Sequence, residues 1–215
     1  MKRLVLPRLY VILDQALLTT PETDCAQKLA EAGVRLLQYR NKTASARELL
    51  ESAQSISAAL RYRDVTFVVN DRADVAYISG AAGVHVGQED LGVEEARAVL
   101  GPGKLIGVST HNREQFQLAI STSADYIAVG PIFSTSSKAK PDPVVGTNFI
   151  REVRPLTEKP IVAIGGITLE RAVEVIKAGA DSVAVISDIL RAPDPGERAR
   201  QFVNLLEAAN HEATV

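Results

Sequence analysis

The amino-acid sequence predicts an α/β fold, a single (β/α)8 or TIM barrel, and three observations favour it. Short apolar runs alternate with amphipathic helical stretches along the chain, which is typical of repeated βα units. The runs are rich in Val, Ile and Leu, as parallel strands buried on both faces are. There are eight runs, the number that closes such a barrel. They predict strands at Leu9–Leu13, Leu36–Tyr39, Phe67–Val69, Val84–Val86, Leu105–Val108, Tyr126–Val129, Ile161–Ile164 and Val183–Ile186.

Helix signals fall between these runs. Ser45 and Glu48 form a capping-box pattern at the start of the second helix. The other predicted starts are Thr20 with Pro21, Thr168 and Pro195, and the predicted ends are Gly33, Gly80, Gly101 and Gly179. The segment from Ile132 to Gly146 has neither helical nor strand periodicity. Its hydroxyls and lysines suit a lid over an anionic ligand, and a solvent-exposed loop is the alternative.

Length and internal repetition support one barrel domain over residues 1–215. Ser123-Ala124-Asp125 precedes the sixth run and Gly179-Ala180-Asp181 precedes the eighth. Repeated βα units produce such echoes, which favours the barrel over a doubly wound open sheet, the structural alternative.

Composition excludes several classes of partner. The net charge is −2 with mixed signs, which argues against nucleic acid or an anionic membrane as the main partner. No apolar run approaches membrane-spanning length. The one cysteine, Cys25, is predicted to face the core of the first helix and has no internal disulfide partner. A reducing cytoplasm is therefore the simplest setting.

Polar residues follow the runs, and parallel strands in a barrel bring such residues to one mouth. Arg40 and Lys42 come after the second run, with Gln38 just before them. Two cations at one mouth favour a phosphate or pyrophosphate between them. Exposed charges at a strand end are the alternative.

Two acids follow neighbouring runs at the same predicted mouth. Asn70 and Asp71 end the third run and Asp90 follows the fourth. Carboxylate oxygens with water and substrate phosphate suit Mg²⁺. The alternative for Asp71 is an N-cap of a helix over Arg72–Ile78.

The loops after the last two strands predict a second anion site. Gly165-Gly166 and Ile186-Ser187 lie where barrels of this kind commonly bind phosphate through backbone N–H groups. A tight turn is the alternative for the glycine pair. Among the histidines, His85 is predicted to be a core residue, His111 lies near the mouth, and His211 lies in the polar tail. The predicted site thus holds two anionic groups and one divalent metal without an obvious general base, which fits metal-assisted loss of pyrophosphate.

Several segments together resemble one enzyme family, thiamine phosphate synthase, over the stretch from about Tyr10 to Ser187. They are Gln38-Tyr39-Arg40-Asn41-Lys42, Val69-Asn70-Asp71-Arg72, Gly83-Val84-His85-Val86-Gly87-Gln88-Glu89-Asp90-Leu91, Gly107-Val108-Ser109-Thr110-His111-Asn112, Gly130-Pro131-Ile132-Phe133, Ala163-Ile164-Gly165-Gly166-Ile167 and Val185-Ile186-Ser187.

The resemblance implies a transferase of thiamine biosynthesis on a (β/α)8 barrel. It would condense hydroxymethylpyrimidine pyrophosphate with thiazole phosphate, giving thiamine phosphate and pyrophosphate through a pyrimidine cation. The implied partners are these small molecules, with a homo-oligomer left open. By the resemblance, Asp71 and Asp90 hold Mg²⁺. Gln38, Arg40, Lys42 and Asn70 contact the pyrimidine pyrophosphate, Ser109 and Lys138 touch the pyrophosphate, and Thr135, Ser137, Gly166, Ile186 and Ser187 bind the thiazole phosphate. The family usually has threonine at the position of Ser137.

Two other functions remain open at this point. A related thiazole tautomerase would need proton transfer, with His111 as the acid–base group. A non-catalytic barrel that binds thiamine precursors would need no catalytic cations or metal carboxylates.

Overall fold

The structure, a computed structural model, describes residues 4–135 and 142–212, the last three of these without their side chains. Eight parallel strands close into a barrel in sequence order. The strands are β1 Leu9–Asp14, β2 Leu36–Arg40, β3 Thr66–Asn70, β4 Gly83–Val86, β5 Leu105–Thr110, β6 Tyr126–Val129, β7 Ile161–Ile164 and β8 Ser182–Val185. The ring closes where β8 pairs with β1, with Val11 opposite Val185. The prediction of a (β/α)8 barrel is confirmed.

Helices alternate with the strands. They are α1 Glu22–Glu31, α2 Ala46–Leu60, α3 Ala73–Ile78, α4 Val93–Leu100, α5 Arg113–Ile120, α6 Gly146–Val153, α7 Leu169–Lys177, α8 Ser187–Leu190 and α9 Pro195–Glu212, with short 3₁₀ turns at Gln15–Leu17 and Arg154–Leu156. Within the described residues, no helix combines the length and apolar character needed to cross a bilayer.

Alternation along each strand separates two apolar layers. On β1, Leu9, Val11 and Leu13 belong to the cluster packed between sheet and helices. Tyr10 and Ile12 point the other way and pack inside the barrel. The same alternation places Asp14, Arg40 and Asn70, the last residues of β1, β2 and β3, on the inner face at the carboxyl end of the barrel.

Helix boundaries follow the predicted signals with two corrections. Ser45 and Glu48 form the complete capping box of α2, with each side chain bonded to the other residue's backbone N–H. Gly33, Gly80, Gly101 and Gly179 all have positive φ at helix ends, where glycine carries no Cβ penalty.

The first correction concerns Thr20, which does not cap α1. That helix begins at Glu22 after Pro21, and its N-cap makes no side-chain hydrogen bond. The second concerns Thr168, which occupies the N-cap position of α7 without making the capping bond. In both cases the sequence pattern predicts where the helix begins, but the side-chain capping hydrogen bond does not form.

Candidate active site

Several strands have a polar residue on their inner face at the carboxyl end of the barrel. Asp14 ends β1, Arg40 ends β2 opposite it, and Asn70 ends β3 opposite His85 on β4. Ser109, near the end of β5, continues this ring. Ser187 begins α8 directly beyond β8, and β8 runs parallel to β1. Arg40 and Ser187 therefore lie at the same end of the barrel.

Arg40 does not face the mouth as an unpaired cation. Its Nη1 donates to Oδ2 of Asp14, whose side chain is 5% exposed. Asp14 also accepts from the backbone N–H of Ala16 at 3.1 Å. The guanidinium is thereby fixed at the rim by a buried carboxylate that the sequence analysis missed.

Lys42 is likewise paired, with the carboxylate of Asp71. Arg40 and Lys42 therefore each have a carboxylate partner, and the anion expected between them stays a prediction. Lys42 remains half exposed, whereas the Asp71 side chain is 19% exposed. The mouth thus combines cations with acids rather than presenting cations alone.

Asp71 and Asp90 lie close enough for their carboxyl groups to interact directly. Burial raises the pKa of Asp71 above its usual value; Lys42 lowers it, and the neighbouring Asp90 raises it further. Two acids in contact repel each other when both are ionised. A bound cation removes this repulsion, which is why such a pair suits a metal.

Asp71 is not the N-cap of the third helix. Helix α3 begins at Ala73 with Arg72 at the N-cap position, which makes no side-chain capping bond. Asp71 itself has a φ of 64°, and within the described residues it is the one non-glycine in the left-handed region. Its backbone N–H donates to the carbonyl of His85 at 2.8 Å. This strained backbone directs the carboxylate toward Lys42 and Asp90, because its geometry departs from that of a continuing strand.

Asp90 is held by its own loop. The N–H of Gly87 donates to Asp90 Oδ2 at 2.7 Å, and a Cβ on Gly87 would lie 3.0 Å from that oxygen. Gln88 Nε2 donates to the Ser109 carbonyl at 2.6 Å and ties this loop to β5. The Asp90 carboxylate is therefore fixed before any ligand arrives.

The glycine loop after β7 lies against the segment that leaves β6. Gly165 and Gly166 have φ values of 101° and 63°, and a Cβ on Gly166 would lie 2.4 Å from the Ser134 carbonyl. Phe133 N–H donates to the Gly165 carbonyl at 3.0 Å. Only glycine permits this approach. Ile186 is the N-cap of α8, and half-buried Ser187 is the first residue of that helix, directly after β8. The first N–H groups of a helix have no acceptor within it.

Three of the predicted site residues lie at the edge of the described part of the chain or outside it. Thr135 is half buried at the end of the described part of the loop after β6. Ser137 and Lys138 lie outside the described residues. The predicted lid over Ile132–Gly146 therefore stays a prediction, although α6 begins already at Gly146.

His111 is anchored at both ring nitrogens. Its Nδ1 lies 2.7 Å from the Gly130 carbonyl, and its Nε2 lies 3.5 Å from Oδ2 of Asp142. This histidine joins the end of β5 to both sides of the loop after β6. An imidazole engaged in this way is a structural bridge more than a proton carrier.

A buried hydrogen-bonded chain crosses the barrel beneath the mouth. Gln38 is 2% exposed and its Nε2 donates to Tyr10 Oη at 2.7 Å. The chain continues through Tyr126 and His85 to Ser109 Oγ, with spacings of 3.0, 3.0 and 2.9 Å. His85 is buried and bonded, as expected of a core histidine. Sequence reasoning missed Tyr10 and Tyr126, whose only signal was a tyrosine at an inward position of an otherwise aliphatic strand.

The side chains at the mouth can be compared with what a bound Mg²⁺ requires. Among the described residues, no group of three or more His, Cys, Asp or Glu side chains could hold a metal by itself. Asp71 and Asp90 supply two carboxylates at the rim, so water and a substrate oxygen would have to complete the shell. That is the mode in which proteins usually bind Mg²⁺.

These features define a class: a (β/α)8 barrel with an acidic pair, two fixed cations and a glycine loop around one mouth suits a phosphorylated small molecule. Comparison with known proteins narrows the class. A family model described as thiamine monophosphate synthase matches residues 9–189. The chain belongs to that family, as the sequence resemblance indicated.

Named relatives agree with this assignment. The chain is 54% identical to the thiamine-phosphate synthase of Koribacter versatilis, over 95% of this chain and 98% of the relative. It is 45% identical to that of Chlorobium phaeovibrioides, over 94% and 95% of the two chains. A solved thiamine phosphate pyrophosphorylase from Pyrococcus furiosus superposes with a TM-score of 0.86 at 34% identity, covering 94% of this chain and 96% of the other.

Proposed function

We propose that this protein is a thiamine phosphate synthase, a transferase that condenses hydroxymethylpyrimidine pyrophosphate with thiazole phosphate. The products would be thiamine phosphate and pyrophosphate. One observation carries the proposal beyond family membership: the Asp71 carboxylate pairs with Lys42 at the mouth and lies near enough to Asp90 for the two acids to interact. This arrangement suits a pyrophosphate that arrives with a divalent cation, because bare carboxylates would repel it.

Asp71 and Asp90 are the residues that would hold Mg²⁺. When bound, the metal would supply charge neutralisation for the departing pyrophosphate. Lys42 would exchange its contact with Asp71 for one with the anion. Arg40, fixed by Asp14, would present the outer edge of its guanidinium to the same group.

The remaining side chains at the mouth would bind and orient the two substrates. Gln38 and Asn70 lie on the inner face of neighbouring strands, where they would contact the pyrimidine end. Ser109 would donate to the pyrophosphate. We assign Thr135, Gly166, Ile186 and Ser187 to the thiazole phosphate. By the family resemblance alone, Ser137 is assigned to the same phosphate and Lys138 to the pyrophosphate.

The chemistry needs charge stabilisation more than proton transfer. An amino-substituted pyrimidine can release electron density toward its exocyclic carbon, so pyrophosphate can leave before the thiazole nitrogen attacks. That nitrogen has no proton to lose, and no general base is required when the new bond forms. The protein's part is to position both substrates and to exclude water from the cation.

The two alternative functions have less support. A tautomerase needs an available acid–base group, but both ring nitrogens of His111 face protein oxygens. A non-catalytic binding barrel would not need the acidic pair. We further propose that the chain acts as one barrel domain in the cytoplasm, where a single buried thiol such as Cys25 stays reduced.

The direct test is incubation of the purified protein with both substrates, with Mg²⁺ or with a chelator. Thiamine phosphate and pyrophosphate should appear in equal amounts, only when both substrates and the metal are present. Isomerisation of a thiazole substrate alone would favour the tautomerase. Binding without turnover would favour the non-catalytic barrel.

A further inference from the structure

The buried chain under the mouth links two residues that the proposed function assigns to different parts of one substrate. Gln38 stands at one end and Ser109 at the other. Between them lie Tyr10, Tyr126 and His85, which come from three different strands. Tyr10 is 1% exposed and Tyr126 is fully buried, so water does not compete for their hydroxyl groups.

Tyr126 is the central member of this chain and sits below the substrate level. Its ring stacks on His85 with centroids 5.6 Å apart and meets Tyr10 edge to face at 6.1 Å. Gly107 makes room for it, because a Cβ there would lie 2.0 Å from the Tyr126 ring. The barrel interior thus contains a place shaped for one tyrosine.

The hydrogen-bond inventory gives the chain a direction. The Gln38 amide nitrogen can only donate, so Tyr10 accepts from it and has its own proton left to give. Tyr10 then donates to Tyr126, and Tyr126 donates to Nδ1 of His85. In the opposite direction Tyr10 would accept twice, and its buried proton would have no acceptor in this chain.

The direction fixes the histidine and, through it, the serine. A neutral His85 that accepts at Nδ1 carries its proton on Nε2. Nε2–H then donates to Ser109 Oγ, 2.9 Å away. Ser109 Oγ then accepts from His85 and keeps its own proton, which it can donate to a ligand at the mouth.

We infer that Tyr126 is a positioning residue of this enzyme: by fixing His85 as its Nε2–H tautomer, it makes Ser109 a hydrogen-bond donor toward the anionic ligand. Tyr126 is fully buried, so its side chain is not accessible from the mouth. Its effect passes through His85 to Ser109 and changes the hydrogen bonding of one atom, Ser109 Oγ. The inference deepens the proposed function and rests on it where it names pyrophosphate as the acceptor.

The first test reads the tautomer in the free protein. Nitrogen-15 NMR distinguishes protonated from unprotonated ring nitrogens, and the protein has only three histidines to assign. Wild type should show His85 protonated at Nε2 and unprotonated at Nδ1. In Tyr126→Phe this preference should be lost. Tyr39→Phe is the matched control, since it removes another buried tyrosine hydroxyl. That hydroxyl donates to Gln15 and does not belong to the hydrogen-bonded chain from Gln38 to Ser109.

The second test reads the consequence at Ser109 with inorganic pyrophosphate and Mg²⁺ as the ligand. Loss of one donor to a charged group predicts that Tyr126→Phe weakens pyrophosphate binding roughly tenfold, while Tyr39→Phe leaves it unchanged. In a Ser109→Ala background, Tyr126→Phe should have no further effect, because the two residues act on one interaction. Calorimetric titration of the wild type, the two single variants and the double variant gives this cycle.

Two results would overturn the inference: a His85 protonated at Nδ1 in wild type, or additive effects of the two substitutions. Neither depends on turnover. A protein that shows the Nε2–H tautomer and the non-additive cycle but makes no thiamine phosphate would contradict the proposed function and leave the positioning role in place.

Discussion

At the residue scale, Asp71 shows how backbone and chemistry are joined in this site. It has the left-handed φ of 64°, which a β-strand residue normally avoids, and it contacts both Lys42 and Asp90. Strain at a non-glycine position persists when surrounding structure fixes it and often accompanies function. Asparagine tolerates this conformation as well as aspartate does. The charge of Asp71 can therefore be removed without disturbing its backbone.

Replacing Asp71 or Asp90 with asparagine should lower turnover at limiting Mg²⁺ by roughly 100-fold or more, because we propose that the acidic pair holds the metal. The urea midpoint should change little. Asp74→Asn is the matched control, since Asp74 is an exposed acid that pairs with Arg72 rather than with Lys42. Near-wild-type turnover in Asp71→Asn would refute the metal role.

Arg40 should matter for stability as well as for activity. Arg40→Ala leaves the carboxylate of Asp14, 4% exposed, without its charged partner, which predicts a loss of about 3 kcal/mol in the free energy of unfolding. The double variant Arg40→Ala with Asp14→Ala should recover part of this stability and none of the activity. Urea unfolding and the pyrophosphate assay measure the two effects. A single variant as stable as wild type would contradict the pairing.

Cys25 should be chemically inert in the folded protein. Burial raises its pKa to about 11, with Lys28 lowering it slightly. At pH 8 the thiolate is therefore scarce, and alkylation by iodoacetamide should proceed at least roughly tenfold more slowly than in urea-unfolded protein. The unfolded thiol ionises at lower pH, so this group contributes stability that is lost as the pH rises above about 9 toward 11. Equal alkylation rates in both states would contradict the buried placement.

At the element scale, the two repeated segments that end in Asp125 and Asp181 make the same contacts. Asp125 accepts from Arg97 and from the N–H of Ile106, both at 2.7 Å. Asp181 repeats this with Arg154 and the N–H of Ile161. In each case the acid at the entry to a strand ties an arginine to the first residues of a neighbouring strand. Repetition therefore reflects a shared way of closing the amino-terminal end of the barrel.

Asp125→Ala should destabilise the fold by about 1–3 kcal/mol, because it removes the charged partner of Arg97 and leaves the N–H of Ile106 without its carboxylate acceptor. The same change at Asp181 should have a similar effect. Asp64→Ala is the control, since that side chain is fully exposed and lies 3.9 Å from Arg35. Urea midpoints measure all three. Equal midpoints for Asp125→Ala and Asp64→Ala would show that the repeated contact carries no stability.

Element boundaries were predictable because local pattern fixes them. Every predicted strand lies within about one or two residues of the observed one, and the capping box of α2 forms as the spacing required. The capping bonds predicted for Thr20 and Thr168 do not form, and the alternative role of Asp71 as an N-cap is excluded. A polar residue before a helix is ambiguous, and here the contacts with Lys42 and Asp90 from neighbouring loops decided its position.

At the scale of the whole molecule, the closed barrel explains which site residues the sequence could reveal. Arg40, Asp71, Asp90 and Ser187 follow apolar runs, so the fold alone brings them to one mouth. Asp14, Tyr10 and Tyr126 could not be found in this way. Their roles come from contacts between strands far apart in sequence, such as Tyr10 with Tyr126, and periodicity contains no information on such pairs.

The central claim is that Asp71 and Asp90 hold a divalent cation together with pyrophosphate. Electron paramagnetic resonance of Mn²⁺, used in place of Mg²⁺, measures this directly through the loss of the free-ion signal. We predict that wild type binds one Mn²⁺ per chain tightly only when pyrophosphate is present, that Asp71→Asn and Asp90→Asn abolish this binding, and that Asp74→Asn retains it. Unchanged Mn²⁺ binding in both the Asp71→Asn and the Asp90→Asn proteins would contradict the claim.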